Sequence, residues 1–258
     1  MPTKNPPAVQ LYSVREQLSG DRKGVLQRIA AAGYGAVEGF NIRSDTEGLH
    51  ADLDAAGLSV SSVHAIPSGD QAADLLAAAR TLGAATVIVP ILPPERFATA
   101  ESVAAVAAEL NEMAARTADA GLRLGYHNHD FELSSIVDGT PALEVLADLL
   151  DGDVLLEVDT YWAAVGGQDV PALLRRLGDR VRFLHVKDGP IVNRQDTMTA
   201  VGSGRMPVAE ILAAAPAAEW HIVELDRCAT DMLTAVEESL QWLTEHGLAT
   251  PVQGTVAR

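Results

Sequence analysis

Cysteine is almost absent from this chain of 258 residues. The single thiol, Cys228, can form neither an internal disulfide framework nor, by itself, a thiolate metal site, so ordinary packing is its expected role. Positive charge is scarce as well. Lys and Arg number 19 against 35 Asp and Glu, and the formal charge of −16 repels phosphate backbones and acidic membrane surfaces. No run of basic residues offsets that field, so neither nucleic acid nor a membrane is expected as a partner. No apolar stretch is long enough to span a bilayer, and the opening Met1-Pro2-Thr3-Lys4-Asn5-Pro6-Pro7 lacks the regions of a secretion signal, which makes the cytoplasm the expected compartment. A Gly-x-Gly-x-x-Gly after the first candidate strand is also missing, which argues against a dinucleotide fold. Aromatic residues make up only 4% of a chain that is 48% hydrophobic; much of the remainder is alanine, which suits outer helices that pack through small side chains.

What is present is a regular alternation. Short β-like runs, Val9–Tyr12, Ala36–Gly39, Ser59–His64, Thr86–Pro90, Arg123–His127, Val154–Asp159, Val181–Lys187 and Trp220–Leu225, alternate with segments of helical period. The clearest helical segments are Gly24–Ala32, Gln71–Leu82, Ser102–Ala120, Pro141–Leu150 and Pro171–Leu177. Thr140-Pro141 predicts an N-cap with proline in the first turn, and Gly33, Gly57, Gly83, Gly121 and Gly247 follow helical runs as left-handed C-terminal residues. No linker divides the chain. Eight βα units without a break predict a single α/β domain over residues 1–258, a closed (β/α)8 TIM barrel. Asp188 to Met206 shows neither period and is a candidate lid, and the tail from Leu248 to Arg258 is expected to be mobile.

Chemistry collects at the ends of the last four strands, where a barrel of this kind places its active site. Residues two apart in a strand share a face, so His127 and His129, Glu157 and Asp159, His185 and Lys187, and Glu224 and Asp226 each project to one side. His64 joins them from the third strand, whereas His221 has the opposite parity to Glu224 and belongs behind the barrel wall. So many ionisable groups cannot share a closed interior without partners. A divalent cation removes much of that difficulty, and His127, Asp159, His185 and Glu224 read as one ligand set. Mixed nitrogen and oxygen donors suit Mn²⁺, Fe²⁺, Co²⁺ or Zn²⁺ better than Ca²⁺.

The chain resembles the sugar phosphate isomerase/epimerase family of xylose isomerase-like barrels, which also holds ketose 3-epimerases, inosose dehydratases and endonuclease IV. The resemblance covers nearly the whole chain. It rests on Gln10-Leu11-Tyr12-Ser13-Val14-Arg15, Tyr126-His127-Asn128-His129-Asp130-Phe131-Glu132, Val158-Asp159-Thr160-Tyr161-Trp162, His185-Val186-Lys187-Asp188, Gly202-Ser203-Gly204 and Val223-Glu224-Leu225-Asp226. It implies one divalent metal held by a glutamate, an aspartate, a histidine and a glutamate on strands five to eight. The last three fall on Asp159, His185 and Glu224, and the strand-five glutamate position is His127. Trp162 stands where the ketose epimerases carry a substrate-binding histidine.

The expected chemistry is metal-assisted proton abstraction next to a carbonyl of a small carbohydrate, with Glu224 or His127 as base. Proton return to the other face gives epimerisation and return to the adjacent carbon gives isomerisation. Loss of a β-hydroxyl, as in inosose dehydratases or a 3-keto-glycoside lyase, gives dehydration; a barrel that binds sugar without catalysis is the remaining alternative. Lys187 either polarises a substrate oxygen or pairs with Asp159 or Asp226. Glu38, His64, His129, Trp162 and Arg205 are candidate substrate contacts, and homo-oligomerisation is left open.

Overall fold

The computed structural model describes residues 5–252. Its apolar runs form strands because both of their faces are covered, one by the barrel interior and the other by helices. The strands are β1 (Ala8–Gln10), β2 (Ala36–Phe40), β3 (Ser59–His64), β4 (Thr86–Val89), β5 (Arg123–His127), β6 (Val154–Asp159), β7 (Val181–Val186) and β8 (Trp220–Val223). All neighbours are parallel, and β8 pairs with β1 through Ala8 with Ile222 and Val9 with Val223, so the barrel closes as expected. The helices are α1 (Arg15–Ala32), α2 (Thr46–Ala56), α3 (Ala72–Thr81), α4 (Ala100–Asp119), α5 (Phe131–Ser134), α6 (Ala142–Leu149), α7 (Thr160–Val165), α8 (Val170–Leu177), α9 (Val208–Ala214) and α10 (Met232–Glu245).

Inside the barrel, Ala8, Ala36, Ile88, Phe183 and Ile222 form a separate apolar plug. Gly125 leaves the space that Ile88 fills, since a Cβ there would lie 2.5 Å from the Ile88 Cδ1. The polar layers sit above this plug, toward the C-terminal ends of the strands. Register sets their heights: Gln10 pairs with Glu38, His127 with Glu157, and Asp159 with His185.

Local chemistry explains where the elements depart from the sequence expectation. β1 stops at Gln10 because its side chain accepts the Tyr12 N–H at 3.1 Å and turns Leu11–Val14 into a 3₁₀ turn. Thr140-Pro141 does not form the expected N-cap. It pairs antiparallel with Ile136–Val137 across a two-residue turn, Asp138 (φ 50°) and Gly139 (φ 87°), and α6 begins at Ala142 without a side-chain cap. The five glycines expected to end helices all have positive φ. Of the tail, Leu248 and Ala249 pack on the core and the Val252 N–H donates to the Gly33 carbonyl at 2.9 Å; residues 253–258 lie outside the described part. Among the described residues no helix is long and apolar enough to cross a membrane.

The connection from Asp188 to Met206 is irregular, as its sequence predicts, but its base is pinned. The buried Asp188 carboxylate accepts the backbone N–H groups of Gly189 (2.8 Å), Gly202 (2.9 Å), Gly204 (3.1 Å) and Met206 (3.0 Å). Replacing it by Asn turns an amide NH₂ toward backbone N–H donors, of which those of Gly189 and Met206 are buried. Asp188→Asn is therefore expected to destabilise the protein by about 1–3 kcal/mol in urea unfolding. A loss near zero would show that the connection is held by other contacts.

Candidate functional site

The mouth of the barrel is built in two tiers. In the lower tier, Glu38 and Glu157 are wholly buried. Glu38 receives the Gln10 amide at 2.7 Å and the Ser62 hydroxyl at 2.5 Å, and its Oε2 lies 2.6 Å from His185 Nε2 and 3.2 Å from His64 Nε2. Glu157 Oε2 lies 2.6 Å from His64 Nε2, 3.0 Å from His127 Nδ1 and 3.3 Å from His185 Nε2. Both carboxylates therefore sit under imidazoles rather than in the open mouth.

The upper tier holds the expected ligand set. His127, Asp159, His185 and Glu224 each offer one atom, and these atoms lie within 4.8 Å of one another. Asp159 ends β6 and also caps α7, with its Oδ1 accepting the Trp162 N–H at 2.8 Å. That leaves Oδ2 facing Lys187. The Lys187 Nζ lies 2.7 Å from Asp159 Oδ2, 2.6 Å from Glu224 Oε2 and 2.8 Å from Asp226 Oδ2, so of its two expected roles the pairing one is seen. Asn128 points the other way from its two histidine neighbours and accepts the Asp159 N–H at 3.0 Å, which locks the end of β5 to the end of β6.

The donor atoms pass a test for a cation. His185 Nδ1 is 2.6 Å from Glu224 Oε2 without hydrogen-bond geometry, and His127 Nε2 is 3.8 Å from Asp159 Oδ2, beyond hydrogen-bond reach. Asp159 Oδ2 is likewise buried without a well-aligned donor. Such a cluster of crowded, poorly satisfied donors suits a bound cation. A deeper group, His64, His127, Glu157 and His185, is also compact. It would draw on the same two rings, however, and a neutral imidazole has one lone pair to give. The lower tier reads better as the support that orients the ligand imidazoles.

Burial and charge set the protonation states. Burial lowers His127 to about 3 and His129 to about 2, so both are neutral near pH 7. Burial would also lower His185, but Glu157, Glu224 and Glu38 outweigh it and raise this imidazole well above its ordinary value. Burial would raise Glu224, yet Lys187 and His185 hold it well below the usual carboxylate range. Asp159 is pushed up to about 6 by burial, against the pull of Lys187 and His185.

The candidate substrate contacts separate. His64 and His129 line a cavity of about 300 Å³ together with His127, Glu224 and Asp226. Trp162 is buried beside it, its ring 6.4 Å from that of His129, with an indole N–H that has no partner. Glu38 lies below the cavity, and Arg205 stands exposed on the Asp188–Met206 connection, away from its lining. Arg194 of the same connection, which sequence reasoning passes over, reaches the mouth instead. Its guanidinium lies 5.8 Å from the Phe131 ring, 6.0 Å from the Trp162 ring and 3.3 Å from Asp130. Gln10, Ser62, Asn128 and Glu132 are further supports that the sequence did not single out. His221 is buried behind the wall and lowered to about 4 by burial.

Glu132 is wholly buried in the first turn of α5. It accepts the Tyr126 hydroxyl at 2.7 Å and the His129 N–H at 2.8 Å, and burial raises it from 4.5 to about 7. A carboxyl raised on folding contributes stability that is present below about pH 4.5 and lost as pH rises through about 7. Measured against Glu132→Gln, which cannot ionise, the parent protein should lose stability across that window and run parallel above it. Parallel unfolding curves throughout would show that Glu132 ionises normally.

The sequence matches the family described as xylose isomerase-like TIM barrel over residues 26–246. A sugar phosphate isomerase/epimerase from Parabacteroides distasonis superposes with a TM-score of 0.79 at 25% identity, covering 95% of each chain. A protein named IOLI, solved with a zinc atom, shares the fold at 13% identity, with a TM-score of 0.67 over 93% of this chain and 97% of that one. Among curated proteins, an inosose dehydratase of Clostridium perfringens is 29% identical over 100 residues, which is 38% of this chain and 33% of the relative. The chain thus matches about a third of the length of that relative. Its neighbours carry the names of isomerases, epimerases and dehydratases. With the closed barrel and the extent of the family match, these findings make the chain a member of the xylose isomerase-like TIM barrel family.

Proposed function

We propose that this protein is a divalent-metal-dependent isomerase or epimerase that moves a proton next to the carbonyl of a keto sugar or related polyol. The observation that carries the reading is the convergence of donor atoms from His127, Asp159, His185 and Glu224 at the C-terminal mouth of the barrel. A Mn²⁺, Fe²⁺, Co²⁺ or Zn²⁺ ion held by them would supply Lewis acidity, stabilising the negative charge that develops on substrate oxygens as the proton leaves.

The chain's own residues do the rest. Glu224, held ionised by Lys187 and His185, lines the cavity and offers a carboxylate oxygen as base. His127 reaches the cavity from the β5 side as a neutral imidazole whose one lone pair serves either as cation ligand or as proton acceptor, and it is the second candidate proton carrier only in the alternative in which it is not a ligand. Lys187 is held well above its ordinary value because three carboxylates outweigh its burial, so it stays an ammonium ion and fixes Asp159 and Glu224 rather than acting as a base. His64 and His129 face the cavity where they can meet hydroxyl groups, and Trp162 walls the site beside His129. Return of the proton to the opposite face or to the adjacent carbon distinguishes epimerisation from isomerisation.

The partial match to an inosose dehydratase favours a second reading, in which the same abstraction is followed by loss of a β-hydroxyl as water. Product analysis on keto sugars and inososes separates the two.

Protein purified without added metal should hold about one equivalent of a first-row divalent ion, and Asp159→Ala and His185→Ala should lose it. Glu157→Gln, which alters the support beneath His64, His127 and His185 and removes none of the four ligand side chains, should weaken binding by about 10–100-fold. Glu224→Gln should slow exchange of substrate protons with solvent deuterium by about 10²–10⁴-fold. No cation even after supplementation would overturn the reading.

A further inference from the structure

The cavity has two unlike walls. One is the polar set from β5 to β8. The other comes from the ends of β1, β2 and β4, where Tyr12, Phe40, Pro90 and Ile91 complete the lining. Large apolar side chains left in water are few among the described residues, yet Tyr12 (39% exposed) and Ile91 (42%) are among them and both face this one cavity. An exposed apolar surface concentrated beside a polar site marks a place that something apolar covers.

Tyr12 is braced rather than loose. The Arg15 guanidinium lies over its ring, 4.0 Å from the centroid, and is itself tied to the carbonyls of Tyr12 (2.8 Å) and Asp226 (3.1 Å). The Phe40 ring meets it edge to face at 5.5 Å. A side chain so held loses little further freedom when a ligand packs on it. The cavity lining contains no Lys or Arg, and the adjoining Lys187 ammonium is already shared among Asp159, Glu224 and Asp226, so no side-chain cation is left to hold a phosphate group. That composition disfavours a phosphate group and favours an uncharged one.

We infer that the substrate is amphiphilic: a keto-sugar ring that faces the polar wall and carries an uncharged, ring-sized apolar substituent that lies on Tyr12, Phe40 and Ile91, as in an aryl or alkyl glycoside whose ring bears a carbonyl. The inference rests on the proposed carbohydrate chemistry of the same site and adds the second half of the ligand. No bond is made or broken at the apolar wall.

Calorimetric titration of cation-loaded protein with methyl and 4-nitrophenyl β-D-glucopyranoside, and with glucose 6-phosphate, tests it. The nitrophenyl glycoside should bind at least about tenfold more tightly than the methyl glycoside, and the phosphate more weakly than either. Tyr12→Ala should abolish the preference, Tyr12→Phe should keep it, and Leu149→Ala, an exposed leucine at the far end of α6, should leave it unchanged. Equal affinities for the two glycosides, tighter binding of the phosphate, or no binding by either glycoside would each overturn the inference. A dimer that Tyr12→Ala converts to monomer, with no nitrophenyl preference, would overturn it in favour of a second copy covering the wall. The proposed function fails separately, through cation content and solvent exchange, so the two outcomes are distinguishable.

Discussion

Glu157 Oε2 lies within 2.6–3.3 Å of one nitrogen on each of three imidazoles, His64, His127 and His185, in a barrel interior closed to water. A lone carboxylate could not be kept there, because removing its hydration costs several kcal/mol that only close positive partners offset. The histidines supply that charge: burial alone would raise Glu157, yet His185 and His64 bring it well below the usual range. The dependence is mutual. His127 and His185 have one nitrogen each turned down toward the carboxylates, which leaves the other turned up toward Asp159 and Glu224. Ring orientation, the property a ligand imidazole needs most, is therefore set from below.

The same constraint explains the rest of the lower tier. Glu38 shares His64 and His185 with Glu157, and two acids in one buried cluster repel each other. Gln10 and Ser62 answer that repulsion with a neutral donor apiece to Glu38. Ser62 could not be replaced by an apolar residue without leaving the buried Glu38 Oε1 unsatisfied, whereas Oε2 is shared between Gln10 and His185. The upper tier solves the same difficulty with Lys187, whose single charge is divided among Asp159, Glu224 and Asp226. A mouth with this many carboxylates is short of positive charge, which is the electrostatic case for a divalent cation.

Much of this was legible in the sequence because a strand repeats every two residues. Parity alone put His127, Glu157, Asp159, His185, Lys187 and Glu224 on the inner face, and consecutive strand ends put them side by side. What parity cannot give is partnership across the barrel. Gln10 and Ser62 meet Glu38, and Glu38 meets His185, only through closure and register, which local pattern does not encode. Arg194 is not legible for a related reason: an arginine in an irregular connection carries no period to say where it points. The hairpin at Ile136 is a different kind of miss. Asp138-Gly139 is a hairpin turn signal, but the Thr-Pro pair that follows competes with it as a helix start, and pairing with Ile136–Val137 decided the outcome.

The two halves of the barrel divide the labour. β5 to β8 present the ligand set, whereas β1 to β4 contribute Gln10, Glu38, Ser62 and His64 below and the apolar wall above. His185 spans the division, with Nδ1 beside Glu224 on its own side and Nε2 against Glu38 across the interior. Neither half has a site alone. Opening the barrel between β8 and β1 separates the ligands from their supports and the polar wall from the apolar one, so the site exists only to the extent that the whole barrel is closed. Anything that binds the assembled mouth and not the open chain then stabilises the entire fold by mass action. The residues that make the mouth costly to build are thus the ones through which a ligand holds it shut.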